Sequence, residues 1–134
     1  MTNLVEIEGI AEDYAAQLQG AGVDSVESLL SAGATPEGRE KIAQGSGISH
    51  KRILKWVNHA DLFRINGVAG EYAELLEAAG VDTVVELAQR NPEHLSEKLA
   101  EVNDAKHLVR RVPPPGDVAR WVTEAKGLPR RVEY

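Results

Sequence analysis

Apolar residues recur along the chain at the spacing of a helix face. In the first such stretch, positions i, i+3, i+4 and i+7 are Ala11, Tyr14, Ala15 and Leu18. The stretch ends at Gly22, which suits a helix C-cap that needs a positive φ. No alternating run of β-branched residues competes with this pattern. It therefore predicts an all-α fold of about eight to ten short helices joined by tight turns.

The apolar pattern occurs twice in the chain. Residues 7–30 align without gaps on residues 65–88, and 12 of these 24 positions are identical. A later segment repeats at an offset of 65 instead of 58, and we place the extra residues of the second copy around residues 112–116. Self-similarity of this kind indicates a tandem duplication. We expect two repeats, residues 1–64 and 65–134, packed into one compact helical domain.

Capping residues divide each repeat into helices. Asp24 and its equivalent Asp82 are expected N-caps of the second helices. Thr35 and Asn91, each followed by proline, are expected N-caps of the third helices, and Ser49 is expected to cap the fourth. The repeats are expected to pack on each other through Trp56, Trp121, Leu62, Phe63 and Ile65.

A glycine turn precedes the first helix of each repeat. The turns consist of Gly9, Ile10 and Ala11 in the first repeat and of Gly67, Val68 and Ala69 in the second. The pattern apolar-x-Gly-apolar-small-x-x-aromatic-Ala-x-x-Leu, followed by Ala-Gly-apolar, resembles the helix-hairpin-helix family. That family usually binds DNA, because hairpin amides and the N-terminus of the following helix hold a phosphate. The resemblance implies structural hairpin turns at both places.

A longer stretch resembles a narrower family. Its residues are Ala34-Thr35-Pro36, Ser46-Gly47-Ile48-Ser49 and Ile53-Leu54-Lys55-Trp56-Val57-Asn58. They are similar to the bacterial family catalogued as domain of unknown function 4332, whose members carry two helix-hairpin-helix-like units. The resemblance extends from Ile7 to Tyr134 and implies the tandem helical fold.

The turns depart from those of DNA-binding hairpins. Alanine replaces the second hairpin glycine in both repeats, and the following helices begin with Glu12-Asp13 and Gly70-Glu71. A carboxylate in the first turn stabilises the helix dipole and repels an approaching phosphate. Phosphate binding at the turns and a purely structural role for the glycines are therefore both open.

Charge alternates along the chain. The 15 basic and 21 acidic residues give a net charge of −6, which disfavours non-specific binding to nucleic acid. Residues 1–37 and 65–104 each carry a net −7, whereas residues 38–64 and 105–134 each carry +4. An anion is therefore expected to choose the second half of a repeat. In the alternative, oppositely charged halves face each other within a chain or between chains.

Two basic segments are candidates for anion contacts. Ala43, Gly47 and Ile53 have the spacing of a helix-turn-helix, whose second helix would expose His50, Lys51, Arg52 and Lys55. The second segment is expected to be a basic helical patch formed by Lys106, His107, Arg110 and Arg111. A solvated surface is the alternative for both.

Several chemistries are not supported by the sequence. It has no cysteine, no HExxH spacing among its four histidines and no phosphate-loop or nucleophile-elbow motif. We therefore expect no catalytic residues, no metal and no cofactor. The first residues lack the pattern of a signal peptide and no stretch is apolar enough to cross a bilayer, so we expect a cytoplasmic protein with no membrane contact.

Two functional hypotheses follow. The first is a non-catalytic interaction module on a degenerate helix-hairpin-helix scaffold, which binds a protein partner or associates with itself. The alternative is weak, sequence-independent DNA binding. Its candidate contacts are the side chains of Lys51, Arg52, Lys55, Arg110 and Arg111 and the backbone of Gly67, Val68 and Ala69.

Overall fold

The computed structural model describes residues 1–134 and contains helices and no strands, which confirms the predicted all-α fold class. A 3₁₀ turn at Leu4–Glu6 precedes eight α-helices. The helices are α1 (Glu12–Gly20), α2 (Val26–Ala32), α3 (Pro36–Ser46), α4 (His50–Leu62), α5 (Gly70–Ala78), α6 (Val84–Ala88), α7 (Pro92–Lys106) and α8 (Pro115–Lys126).

Two compact units make up the chain. Unit 1 consists of Met1–Asp61 together with Arg131–Tyr134, and unit 2 consists of Leu62–Arg130. Unit 1 contains α1 to α3 and all but the last residue of α4, and unit 2 contains α5 to α8. The last four residues therefore lie at the end of the second sequence repeat but belong structurally to unit 1.

Each unit has its own apolar core. In unit 1, α3 packs against α1 and α2, and the largest buried side chains include Leu4, Ile7, Leu18, Leu29 and Ile53. In unit 2, α7 packs against α5 and α8, and α6 packs against α8. The core of unit 2 includes Leu62, Ile65 and Trp121, with Phe63 partly buried against it. Packing of the two repeats on each other through these residues stays a prediction.

Helix caps agree with the sequence at three positions. The side chain of Thr35 accepts a hydrogen bond from the amide of Gly38, and Asn91 accepts bonds from the amides of Glu93 and His94. The Ser49 hydroxyl accepts a bond from the Arg52 amide at 3.3 Å. Since each cap satisfies amides that have no partner within the helix, these residues fix where α3, α7 and α4 begin.

The expected aspartate caps are wrong by one residue. Ser25, and not Asp24, caps α2, through a capping box in which Ser25 and Ser28 exchange hydrogen bonds at 3.0 Å. Thr83, and not Asp82, occupies the N-cap of α6, without a side-chain bond to the backbone. The serine hydroxyls satisfy the Ser25 and Ser28 amides reciprocally, and a carboxylate at position 24 lies one residue too early to do so.

The longer second repeat is divided between two places. Helix α7 has 15 residues where α3 has 11, and the non-helical segment 107–114 replaces the short turn 47–49. The extra residues therefore lie partly within a helix and not only around the prolines.

Candidate functional site

The first glycine turn lies against an aromatic pair. Gly9 has φ +96°, and a Cβ atom at this position would lie 3.3 Å from the indole Nε1 of Trp56. The Tyr14 ring packs edge-on against Trp56, with centroids 5.0 Å apart. The Arg52 guanidinium donates to the Tyr14 hydroxyl at 2.5 Å and lies over the same ring. The first glycine turn, α1 and α4 are therefore connected by the contacts of Trp56, Tyr14 and Arg52.

The second turn repeats this arrangement with one change. Gly67 has φ +90°, and a Cβ atom there would lie 3.3 Å from Trp121 Nε1. Tyr72 packs on Trp121 with centroids 5.4 Å apart. The Tyr72 hydroxyl, however, donates to the backbone carbonyl of Arg111 at 3.1 Å. Tyr72 therefore binds the backbone of Arg111, and the arginine is exposed.

Carboxylates surround the first turn. The N-cap of α1 is Ala11, which makes no side-chain bond to the helix amides. Glu6, Glu8, Glu12 and Asp13 are all exposed, and the last two lie in the first turn of α1. An anion approaching the amides of α1 therefore meets negative charge.

A carboxylate of the chain itself already binds at the second turn. The amide of Asn66, next to Gly67, donates to Glu124 Oε2 of α8 at 3.0 Å. The N-cap residue Ala69 makes no side-chain bond, and Glu71 lies in the first turn of α5. One amide of the hairpin is therefore satisfied within unit 2, by the kind of group that a phosphate would have to displace.

The helix-turn-helix-like segment consists of two helices joined by a short turn at residues 47–49. Helix α3 ends at Ser46, Gly47 adopts the left-handed conformation with φ +76°, and α4 begins at His50. Trp56 is buried, and the exposed side chains at the start of α4 are His50, Lys51, Arg52 and Lys55. A contact of these side chains with DNA stays a prediction.

Oppositely charged halves of the first repeat meet within unit 1. Arg52 of α4 contacts Tyr14, which follows Glu12 and Asp13 in α1. The Gln17 side chain of α1 also donates to the Ser46 carbonyl at 3.3 Å. The basic start of α4 therefore lies beside an acidic helix N-terminus, which reduces its attraction for a phosphate.

The prediction that the basic patch of the second repeat is helical is wrong. Helix α7 ends at Lys106, His107 has φ 52°, and Arg110 and Arg111 lie exposed in segment 107–114. The Asn103 side chain ends the helix, because its amide group exchanges two hydrogen bonds with the backbone of Val109 at 2.9 and 3.1 Å. Local side-chain bonds of this kind compete with helix continuation.

One functional candidate was missed by sequence reasoning. Arg39 of α3 is 2% exposed, and its guanidinium donates to the carbonyls of Gly33 at 2.8 Å and Glu133 at 2.6 Å. Burial lowers the pKa of Arg39, because the surroundings solvate the charged form less well than water does. The sequence contains one indication that Arg39 is buried: the equivalent residue of α7 is the apolar Leu95.

No group of three histidine or acidic side chains has an arrangement that could hold a metal ion. None of the helices has the length and apolar character required to cross a membrane.

Comparison with known proteins gives one finding. The sequence model of the family described as "Domain of unknown function (DUF4332)" matches residues 8–128. No curated protein and no solved structure matches the chain.

Proposed function

The chain belongs to the family described as a domain of unknown function (DUF4332), and from this starting point we propose that it is a non-catalytic interaction module. The module binds proteins through surfaces of opposite charge, and a second copy of the chain is the partner whose charges match. Residues around the first glycine turn of one copy meet Arg110 and Arg111 of another.

One observation carries this proposal: equivalent turns in the two repeats carry different charge. The exposed acidic residues around the first turn are Glu6, Glu8, Glu12 and Asp13. The residues 58 positions later are Arg64, Asn66, Gly70 and Glu71. The second turn also has Arg110 and Arg111 nearby, because Tyr72 of α5 binds the Arg111 carbonyl. An acidic and a basic surface on one chain favour head-to-tail association.

Association of this kind depends on salt. The charged side chains on both surfaces are exposed, so that ions screen their attraction over about 8 Å at physiological ionic strength. Sedimentation velocity at low and high ionic strength is the first test. We expect oligomers at low salt that dissociate as salt is raised.

A charge-swap experiment tests the partner directly. Arg110→Glu/Arg111→Glu is expected to abolish association, and the matched control Lys98→Glu/Lys126→Glu, which changes net charge equally at exposed positions of unit 2, is expected to retain it. Mixing the Arg110→Glu/Arg111→Glu chain with a Glu12→Arg/Asp13→Arg chain is expected to restore association. A wild-type monomer at low salt, or equal loss in the control, would count against the proposal.

DNA binding is the second candidate, and the exposed start of α4 favours it. Lys51 and Lys55 follow a helix, a left-handed Gly47 and a short turn, as in proteins that place a helix in the major groove. The acidic neighbours in α1 and the net charge of −6 imply weak, strongly salt-dependent binding.

The DNA candidate is tested by titrating labelled duplex at low salt. Lys51→Glu/Lys55→Glu leaves the contact of Arg52 with Tyr14 in place and is expected to abolish binding through α4. Glu124→Gln tests the second hairpin, because it removes the negative charge beside the Asn66 amide. Binding that tightens in Glu124→Gln would assign the hairpin, and binding that neither substitution alters would exclude both routes.

A further inference from the structure

Residues 131–134 form a non-helical segment that belongs to unit 1. The amide of Glu133 donates to the Ala34 carbonyl at 2.7 Å, and the carbonyl of Glu133 accepts from Arg39 Nη2 at 2.6 Å. Both backbone polar groups of Glu133 are therefore bound, and the segment is held through its main chain. The Glu133 side chain itself is exposed.

Two side chains on either side of Glu133 complete the contact. Val132 is 2% exposed and contributes an apolar anchor. The Tyr134 hydroxyl donates to Asn58 Oδ1 of α4 at 3.1 Å, and the Arg39 guanidinium lies 6.0 Å from the centre of the tyrosine ring. The segment is thus held by an apolar residue, a main-chain pair and a phenol in the order Val-x-Tyr.

The place of Arg39 is occupied by an apolar residue in unit 2. Arg39 and Leu95 each stand three residues after the proline that begins their helix, and both are buried. In unit 2 an apolar side chain therefore suffices at this place. A buried guanidinium costs desolvation energy and is usually compensated by a carboxylate. Arg39 binds two carbonyls, that of Gly33 within unit 1 and that of Glu133 in the segment 131–134. One of its two hydrogen bonds therefore holds the segment.

We infer that the surface formed by Gly33, Ala34, Arg39 and Asn58 is a binding site for a peptide with an apolar residue followed, two positions later, by tyrosine. Residues 131–134 occupy this site in the structure and regulate access to it. The inference goes beyond the charge-driven association proposed above, because its residues are different and its contacts are largely buried. Its binding is therefore expected to resist salt.

A labelled, C-terminally amidated peptide with the sequence of residues 129–134 tests the site on the full-length chain. In wild type the docked segment competes at an effective concentration on the order of millimolar. Val132→Lys places a charge in the apolar position and releases the segment. We expect this variant to bind the peptide at least roughly tenfold more tightly than wild type does. Arg39→Leu introduces the residue that unit 2 has at Leu95, and in the double variant it is expected to abolish that binding.

The matched control is a peptide in which Lys replaces the valine, and circular dichroism verifies that each variant is folded. Equal binding to Val132→Lys and to Val132→Lys/Arg39→Leu, or no binding to a folded Val132→Lys chain, would overturn the inference. If Val132→Lys does not fold, wild type is titrated with millimolar peptide and followed by NMR. Shifts confined to Ala34, Arg39 and Asn58 are then expected, and their absence would also overturn it.

Discussion

At the scale of single residues, backbone conformation and a close neighbour both favour glycine at positions 9 and 67. Both have a positive φ, and both place a tryptophan Nε1 only 3.3 Å from where a Cβ atom would lie. An alanine at either position would therefore be strained in its backbone, and its Cβ atom would crowd the tryptophan. Because the same tryptophan packs on the tyrosine of the following helix, displacement at the turn would also disturb that pair.

We expect Gly9→Ala to lower the free energy of unfolding by about 1–3 kcal/mol, because alanine disfavours positive φ. Gly20→Ala is the matched control, since Gly20 ends α1 and its Cβ would meet nothing within 4 Å. The control is expected to be neutral or to stabilise by up to about 1 kcal/mol. Urea denaturation of both variants measures the difference, and equal destabilisation would contradict the explanation.

The burial of Arg39 and its contact with Glu133 could not be predicted from the local sequence. Arg39 counts among the basic residues of 38–64, yet it is buried in α3 and is not part of the exposed basic surface of this segment. Its partner Glu133 lies 94 residues away and contributes a carbonyl, which every residue type possesses. A contact to the backbone leaves no signature in the partner's side chain, and only the comparison with Leu95 in the second repeat indicates it.

At the scale of the helices, the capping box of α2 gives a test of local structure. Ser25→Ala is expected to destabilise unit 1 by about 1 kcal/mol, because the Ser28 amide loses its acceptor. Asp24→Ala removes only a bond from the Ser28 hydroxyl at 3.1 Å and is expected to cost clearly less. Thermal unfolding of both variants measures the order, and a larger effect at Asp24 would restore the cap that the sequence predicted.

The start of the chain is attached to α2 through Glu27. The Thr2 hydroxyl and amide donate to the two carboxylate oxygens of Glu27 at 2.7 and 2.8 Å, and these bonds hold the pKa of Glu27 below its usual 4.5. A lowered pKa in the folded state means that the unfolded chain binds more protons. The stabilisation is therefore present above about pH 4.5 and is lost as the pH falls through the lowered value.

NMR titration of the Glu27 carboxyl tests this attachment. We expect the titration midpoint to rise towards 4.5 in Thr2→Val, which removes the hydroxyl donor and keeps the backbone amide. Identical midpoints in wild type and Thr2→Val would show that the hydroxyl bond does not carry the effect. Thr2→Ser keeps a hydroxyl donor beside the carboxylate and serves as the matched control, and it is expected to leave the Glu27 midpoint unchanged.

At the scale of the whole molecule, each unit contains one tryptophan. Trp56 belongs to unit 1 and Trp121 to unit 2, so Trp56→Phe and Trp121→Phe leave a fluorescent reporter in one unit each. Domains of about 60 residues bury only part of their surface and are marginal alone. We therefore expect the units to unfold together, with fluorescence and circular dichroism midpoints that coincide in each variant. Separate midpoints would show that the units are independently stable.

The sequence by itself determined the helical class, the internal repetition, the glycine turns and three of the helix caps. These features follow from short-range rules: the spacing of apolar residues, the φ that a turn requires and the hydroxyl or amide beside a helix start. Repetition strengthened each rule, because Gly9 and Gly67 could be compared at a fixed offset.

Tertiary structure decided the rest, because those features depend on contacts between residues far apart in the chain. It brings Glu124 to the amide of Asn66, 58 residues away, and so fills a position that the hairpin pattern left open. One exception is local: Arg110 and Arg111 lie outside α7 because the Asn103 side chain binds the backbone of Val109, six residues later. Tertiary structure also joins residues 131–134 to unit 1 through a buried Arg39, since only folding can desolvate a guanidinium and present it to a distant carbonyl.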